Sequence, residues 1–93
     1  MPGDSAVLLA KLTARWGFFE NFLGQSNTAK KLFEESLYLF RGAGAMNQAG
    51  IAYDGLGVVA EFQGHLETAR DLLEKILVIY IPNGEVFYYW ARS

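Results

Sequence analysis

Gly24-Gln25-Ser26-Asn27-Thr28-Ala29-Lys30-Lys31-Leu32-Phe33-Glu34 returns forty residues later as Gly64-His65-Leu66-Glu67-Thr68-Ala69-Arg70-Asp71-Leu72-Leu73-Glu74. The register extends beyond this stretch. Laid over one another without a gap, residues 12–40 and 52–80 also match Gly17 with Gly57, Phe22 with Phe62 and Leu37 with Leu77. Eight of the remaining twenty-one pairs exchange one apolar residue for another. A period of this length marks stacked supersecondary units, each leaving a hydrophobic face for its neighbour to bury. The expected fold is therefore all-α, a short array of two stacked antiparallel helix hairpins. Function is expected to follow from surface rather than from a reaction centre.

The bulk composition narrows the classes. Ninety-three residues make one small domain, which buries only ~60 to 65% of its unfolded surface. An apolar fraction of 52% with 15% aromatics is high for that length. Either the core is dense, or some of the apolar surface is meant for a partner. A net charge of -2 and a pI near 5.2 argue against nucleic-acid binding, which needs a basic patch to neutralise phosphates. Cysteine is absent, which removes disulfides and thiolate chemistry and leans towards a cytoplasmic setting. The start, Met1-Pro2-Gly3-Asp4-Ser5, lacks a basic n-region, and the longest apolar runs, 76–81 and 86–91, are short. A membrane span needs ~18 residues, so neither a signal peptide nor a membrane role is expected.

Periodicity places the helices. Asp4 or Ser5 can cap a first helix over about 6–23, whose apolar positions Leu8, Leu9, Leu12, Trp16, Phe19 and Leu23 form a stripe ended by Gly24. Gln25-Ser26-Asn27 reads as the turn, with Ser26 or Asn27 as the next cap. The second helix carries Ala29, Leu32, Phe33, Leu37 and Phe40 and breaks at Gly42-Ala43-Gly44. A third, over about 46–63, shows Ile51, Leu56, Val59 and Phe62. The fourth, over about 67–80, shows Ala69, Leu72, Leu73, Ile76, Leu77 and Tyr80 before Pro82-Asn83-Gly84 stops it. Repeat 1 thus spans about 6–42 and repeat 2 about 46–81, with a tail at 82–93. Asp71 and Lys75 are spaced for an i, i+4 pair, worth only ~0.3 kcal/mol.

Two glycines fall inside helices. Glycine there costs ~1 kcal/mol against alanine, so its recurrence at Gly17 and Gly57 points to a close helix neighbour, with Ala29 and Ala69 as the small residues opposite.

This spacing resembles the tetratricopeptide repeat, which asks for a large residue, Leu-Gly, an aromatic, a turn glycine and an alanine at set offsets. The second unit supplies Tyr53, Leu56-Gly57, Gly64, Ala69 and Leu73, and the first Trp16-Gly17, Gly24, Ala29 and Phe33. The period of forty resembles the longer repeats of bacterial signalling ATPases and transcriptional regulators. Departures are Thr13 in place of the large residue of unit one, Glu20 and Ala60 in place of an aromatic, and Ser36 and Ile76 in place of the second alanine. The resemblance implies a right-handed stack with a concave groove lined by the first helix of each hairpin. The family's groove positions fall on Lys11, Ala14, Phe18 and Asn21, then Ile51, Asp54, Val58 and Glu61. Members that clamp a peptide carboxylate use Lys, Arg and Asn there, a charge-assisted contact that needs cations, and of these positions only Lys11 and Asn21 could contribute. Asp54 and Glu61 suit a basic or apolar segment instead. The competing reading is that Phe18 and Val58 pack between helices and the acids are merely solvated.

The run Val86-Phe87-Tyr88-Tyr89-Trp90 is the most unusual stretch. Phe87, Tyr88, Tyr89 and Trp90 can be a cap folded over the second repeat, a homodimer contact, or the start of a third unit. His65 stands alone with no second histidine and no cysteine, so no metal is expected. Asp54 and Glu61, seven residues apart, are ~10 Å apart along a helix and have no nucleophile beside them. No phosphate-binding fingerprint is present, since Gly42-Ala43-Gly44 follows a helix and lacks the remaining motif residues. The sequence therefore points to a non-catalytic protein-interaction module without cofactor, binding a peptide or partner helix. The alternative is a structural capping, linker or self-assembly segment of a larger regulatory protein. Two repeats leave an open face at each end of the array, and pairing of two copies is the simplest cover.

Overall fold

A computed structural model describes residues 2–80. The tail expected over 82–93, with Phe87, Tyr88, Tyr89 and Trp90, lies outside the described residues. Four α-helices follow one another: α1 (Pro2–Phe22), α2 (Ser26–Gly42), α3 (Gly50–Phe62) and α4 (Leu66–Tyr80), with a 3-10 turn at Met46–Gln48 ahead of α3. Among the described residues there is no strand. No helix there is long and apolar enough to cross a membrane. Helix α1 pairs with α2 and α3 with α4, while α3 also packs against both helices of the first hairpin, chiefly α2.

The junctions repeat more regularly than the helices they join. Gly24, Gly44 and Gly64 hold φ of 85°, 67° and 78°, a region open to glycine at little cost. Each sits in a Schellman cap. The N–H of Gln25 donates to Glu20 C=O at 2.8 Å and that of Gly24 to Asn21 C=O at 3.0 Å. Ala45 to Phe40 (2.9 Å) with Gly44 to Arg41 (3.1 Å), and His65 to Ala60 (2.8 Å) with Gly64 to Glu61 (3.0 Å), copy the arrangement. The glycines are spaced twenty apart, half the sequence period.

Several boundaries differ from the expected ones. Helix α1 starts at Pro2, with Asp4 inside its first turn rather than capping it, because proline has no N–H to lose at a helix start. The first turn lies at residues 23–25, and Gln25 is the N-cap of α2 without a side-chain cap. Ser26 donates its hydroxyl to Asn21 Oδ1 at 3.2 Å instead of capping. Asp71 and Lys75 form no ion pair; Arg70 reaches Glu74 at 3.6 Å, while Lys75 Nζ sits 5.7 Å from the Tyr53 ring centroid.

The core lies between α1, α2 and α3 and is built from small residues around two phenylalanines. Helix α1 turns Ala10, Thr13, Ala14 and Gly17 inward, and its expected core stripe faces out, with Trp16 58% and Phe19 60% exposed. The reason is steric: small residues on α1 let α2 approach closely, and a bulky stripe there would hold the helices apart. Ser36, fully buried, donates its hydroxyl to the Ala10 carbonyl at 2.7 Å and so ties α2 to α1.

Phe33 joins the hairpins. Its ring is fully buried and lies against two bare backbones. A Cβ at Gly17 would fall 2.8 Å from it, and a Cβ at Gly55 would overlap it. Phe18 meets the same ring edge-on, with centroids 4.8 Å apart. The close approach expected at Gly57 is looser, because a Cβ there would sit 3.8 Å from Leu72 Cβ and 3.9 Å from the Ala69 carbonyl, ordinary contact. Gly55, which has no glycine counterpart forty residues earlier, is the tightest position described.

Candidate functional site

Helices α1 and α3 lie side by side because α3 carries almost nothing bulky on its inner face: Ala52, Gly55, Gly57, Val59 and Ala60 are all buried. Where the 3-10 turn feeds into α3, a groove of about 660 Å³ opens against α1. Leu8 and Leu12 line it from α1 and Ile51 from α3, giving an apolar floor. Lys11 and Arg15, one turn apart on α1, supply two cations, and Asn47 and Gln48 of the 3-10 turn supply two amides. No carboxylate lines this groove; Asp4 lines a smaller recess of about 290 Å³ beside Lys11 and Gln48.

Of the residues singled out from the sequence, Lys11 and Ile51 meet in this groove. Phe18 is committed to packing against Phe33, as the competing reading had it. Asn21 accepts the Ser26 hydroxyl, and Ala14 is fully buried. Asp54 and Glu61 are exposed and Val58 is half-buried along α3, and none of the three lines the groove. His65 lines a separate cleft of about 190 Å³ between the hairpins, beside Lys30, Glu34 and Gln63. Among the described residues no cluster of three potential metal-ligating side chains occurs.

Sequence reasoning passed over Arg15, Asn47 and Gln48. Arg15 is within reach, being one turn after Lys11 on the same helix face. Asn47 and Gln48 are not, because helical periodicity makes them the regular start of the third helix; the 3-10 turn aims them at α1. No known protein-family model, curated protein or solved structure matches this chain.

Proposed function

We propose that the chain is a non-catalytic protein-interaction module of tetratricopeptide-like architecture, with the groove between α1 and the start of α3 as its peptide site. The observation that carries this reading is the groove's composition. An apolar floor of Leu8, Leu12 and Ile51 is flanked by Lys11 and Arg15, with Asn47 and Gln48 opposite and no acid in the lining. Such a surface suits a segment with an aliphatic or aromatic side chain next to a carboxylate. The floor takes the apolar group, the cations attract the charge, and the amides hydrogen-bond the peptide backbone. The partner is thus acidic and apolar, whereas the family positions Asp54 and Glu61 suit a basic or apolar one.

An unbiased peptide display against the intact chain tests the reading. Selected peptides are expected to carry Asp or Glu beside Leu, Ile or Phe. Fluorescence anisotropy should show saturable binding that weakens at least tenfold in Lys11→Glu and falls with added salt. Absence of saturable binding across the display, with helicity intact, would overturn it.

A further inference from the structure

From Leu8 to Leu23 the face of α1 and its exit that is turned away from the core is apolar. Leu9, Leu12, Trp16, Phe19 and Leu23 alternate at spacings of three and four residues, the seam along which two helices interlock. They are 53, 49, 58, 60 and 54% exposed, and the flanking Leu8 and Phe22 are 57 and 87% exposed. Together they leave on the order of 800 Å² of side chain uncovered, one partner's share of a standard protein interface. Forty residues on, the equivalent positions are Ala49, just ahead of α3, Ala52, Leu56 and Val59 within α3, the helix that α2 packs against, and the exposed Gln63 just past its end. The seam is therefore the face that a neighbouring helix covers in the second repeat. Among the described residues no helix covers it in the first.

We infer that a second copy of this chain covers it, the two α1 helices lying side by side and parallel about a two-fold axis. Charge decides the direction. In a parallel pair, the residue just before one core position faces the residue five further along on the partner. That spacing sets Arg15 against Glu20 of the second copy, and Glu20 against its Arg15. Among the described residues neither forms an ion pair within its own chain; Glu20 only accepts the Trp16 indole N–H at 3.3 Å. An antiparallel pair would bring edges of the same kind together, cation near cation. The inference rests on different observations from the peptide groove, but the two surfaces share Leu8, Leu12 and Arg15, so pairing of two copies and peptide binding compete for them.

Light scattering and sedimentation on the intact chain test it. The expected mass is twice the 10.4 kDa of one chain at tens of micromolar, and a monomer there would overturn the inference. Leu9→Glu with Phe19→Glu should give a monomer with unchanged helicity, because both side chains already stand half in solvent. Arg15→Glu alone should weaken pairing at least tenfold, and Arg15→Glu with Glu20→Arg should restore it. Since the chain has no cysteine, Leu12→Cys gives an independent reading. It cross-links to itself in a parallel pair and not in an antiparallel one. A dimer that survives the α1 substitutions but dissolves on Phe87→Glu with Trp90→Glu would show that the tail pairs the copies, and would overturn the inference.

Discussion

Helices α2 and α4 are the same repeat element forty residues apart, with Thr28-Ala29 matching Thr68-Ala69, Leu32 matching Leu72 and Leu37 matching Leu77. Their fates differ. In α2, Ala29, Leu32, Phe33, Ser36 and Phe40 are all buried, while among the described side chains of α4 only Ala69 is buried outright and Leu72, Leu73, Ile76 and Leu77 are half-covered. Helix α2 lies between α1 and α3, whereas α4 packs on α3 and the 3-10 turn alone among the described residues. Burial in a repeat is set by the number of neighbours and not by the hydrophobicity of the residue. The same contrast separates the first helices of the two hairpins, since α3 presents small residues to α2 while α1 presents large ones to its open side.

The contrast can be broken most severely at Phe33. Phe33→Ala should cost about 3 to 5 kcal/mol, enough to unfold much of a domain this small. Its counterpart Leu73→Ala should cost less than half as much, because Leu73 is only half-covered. Chemical denaturation of the two variants side by side measures the difference, and equal losses would contradict the view that neighbours set burial.

The glycines come next. Gly55→Ala pushes a methyl into the Phe33 ring and is expected to destabilise by about 1 to 3 kcal/mol, lowering the melting temperature by ~5 to 20 °C. Gly17→Ala should behave similarly but more mildly. Gly57→Ala meets only ordinary contacts, so better helix propensity should leave the chain as stable or gain up to ~1 kcal/mol. Thermal melts that rank Gly57→Ala as the most damaging of the three would reverse the packing described here.

A smaller effect separates the hairpins at Ser36. Ser36→Ala removes the buried hydrogen bond to the Ala10 carbonyl and should cost ~1 kcal/mol. The equivalent Ile76 is apolar and makes no such bond, so Ile76→Ala should register only as lost contact. Smallest of all is the turn set. Gly44→Ala forces a side chain into positive φ with open space around it and should cost ~1 kcal/mol, with little difference between Gly24, Gly44 and Gly64.

Much of this was legible beforehand. The stripe Ala29, Leu32, Phe33, Phe40 on α2 and the stop at Gly24, Gly44 and Gly64 could be read directly, because periodicity and left-handed glycine are local properties. The stripe on α1 was legible too, but its direction was not. Leu8, Leu12 and Trp16 satisfy helical spacing as well as Ala10, Ala14 and Gly17 do, and hydrophobicity favours the larger set. Only the demand of α2 for a close partner turns the small set inward. The groove divides in the same way. Lys11 and Ile51 are among the groove positions the family resemblance implies, whereas Asn47 and Gln48 depend on a 3-10 turn whose course is set by packing around Ala45, Ala49 and Phe40.

The sequence by itself thus determined the helical repeat, its period, its turns and the buried stripe of the central helix. All of these follow from interactions within one or two turns of chain. The tertiary structure alone decided which side of α1 meets the core, why Gly55 must be glycine, and which cations and amides share a groove. Each depends on how closely two helices far apart in sequence can approach. That distance is fixed by the smallest side chains between them, and no periodicity along one strand of chain records it.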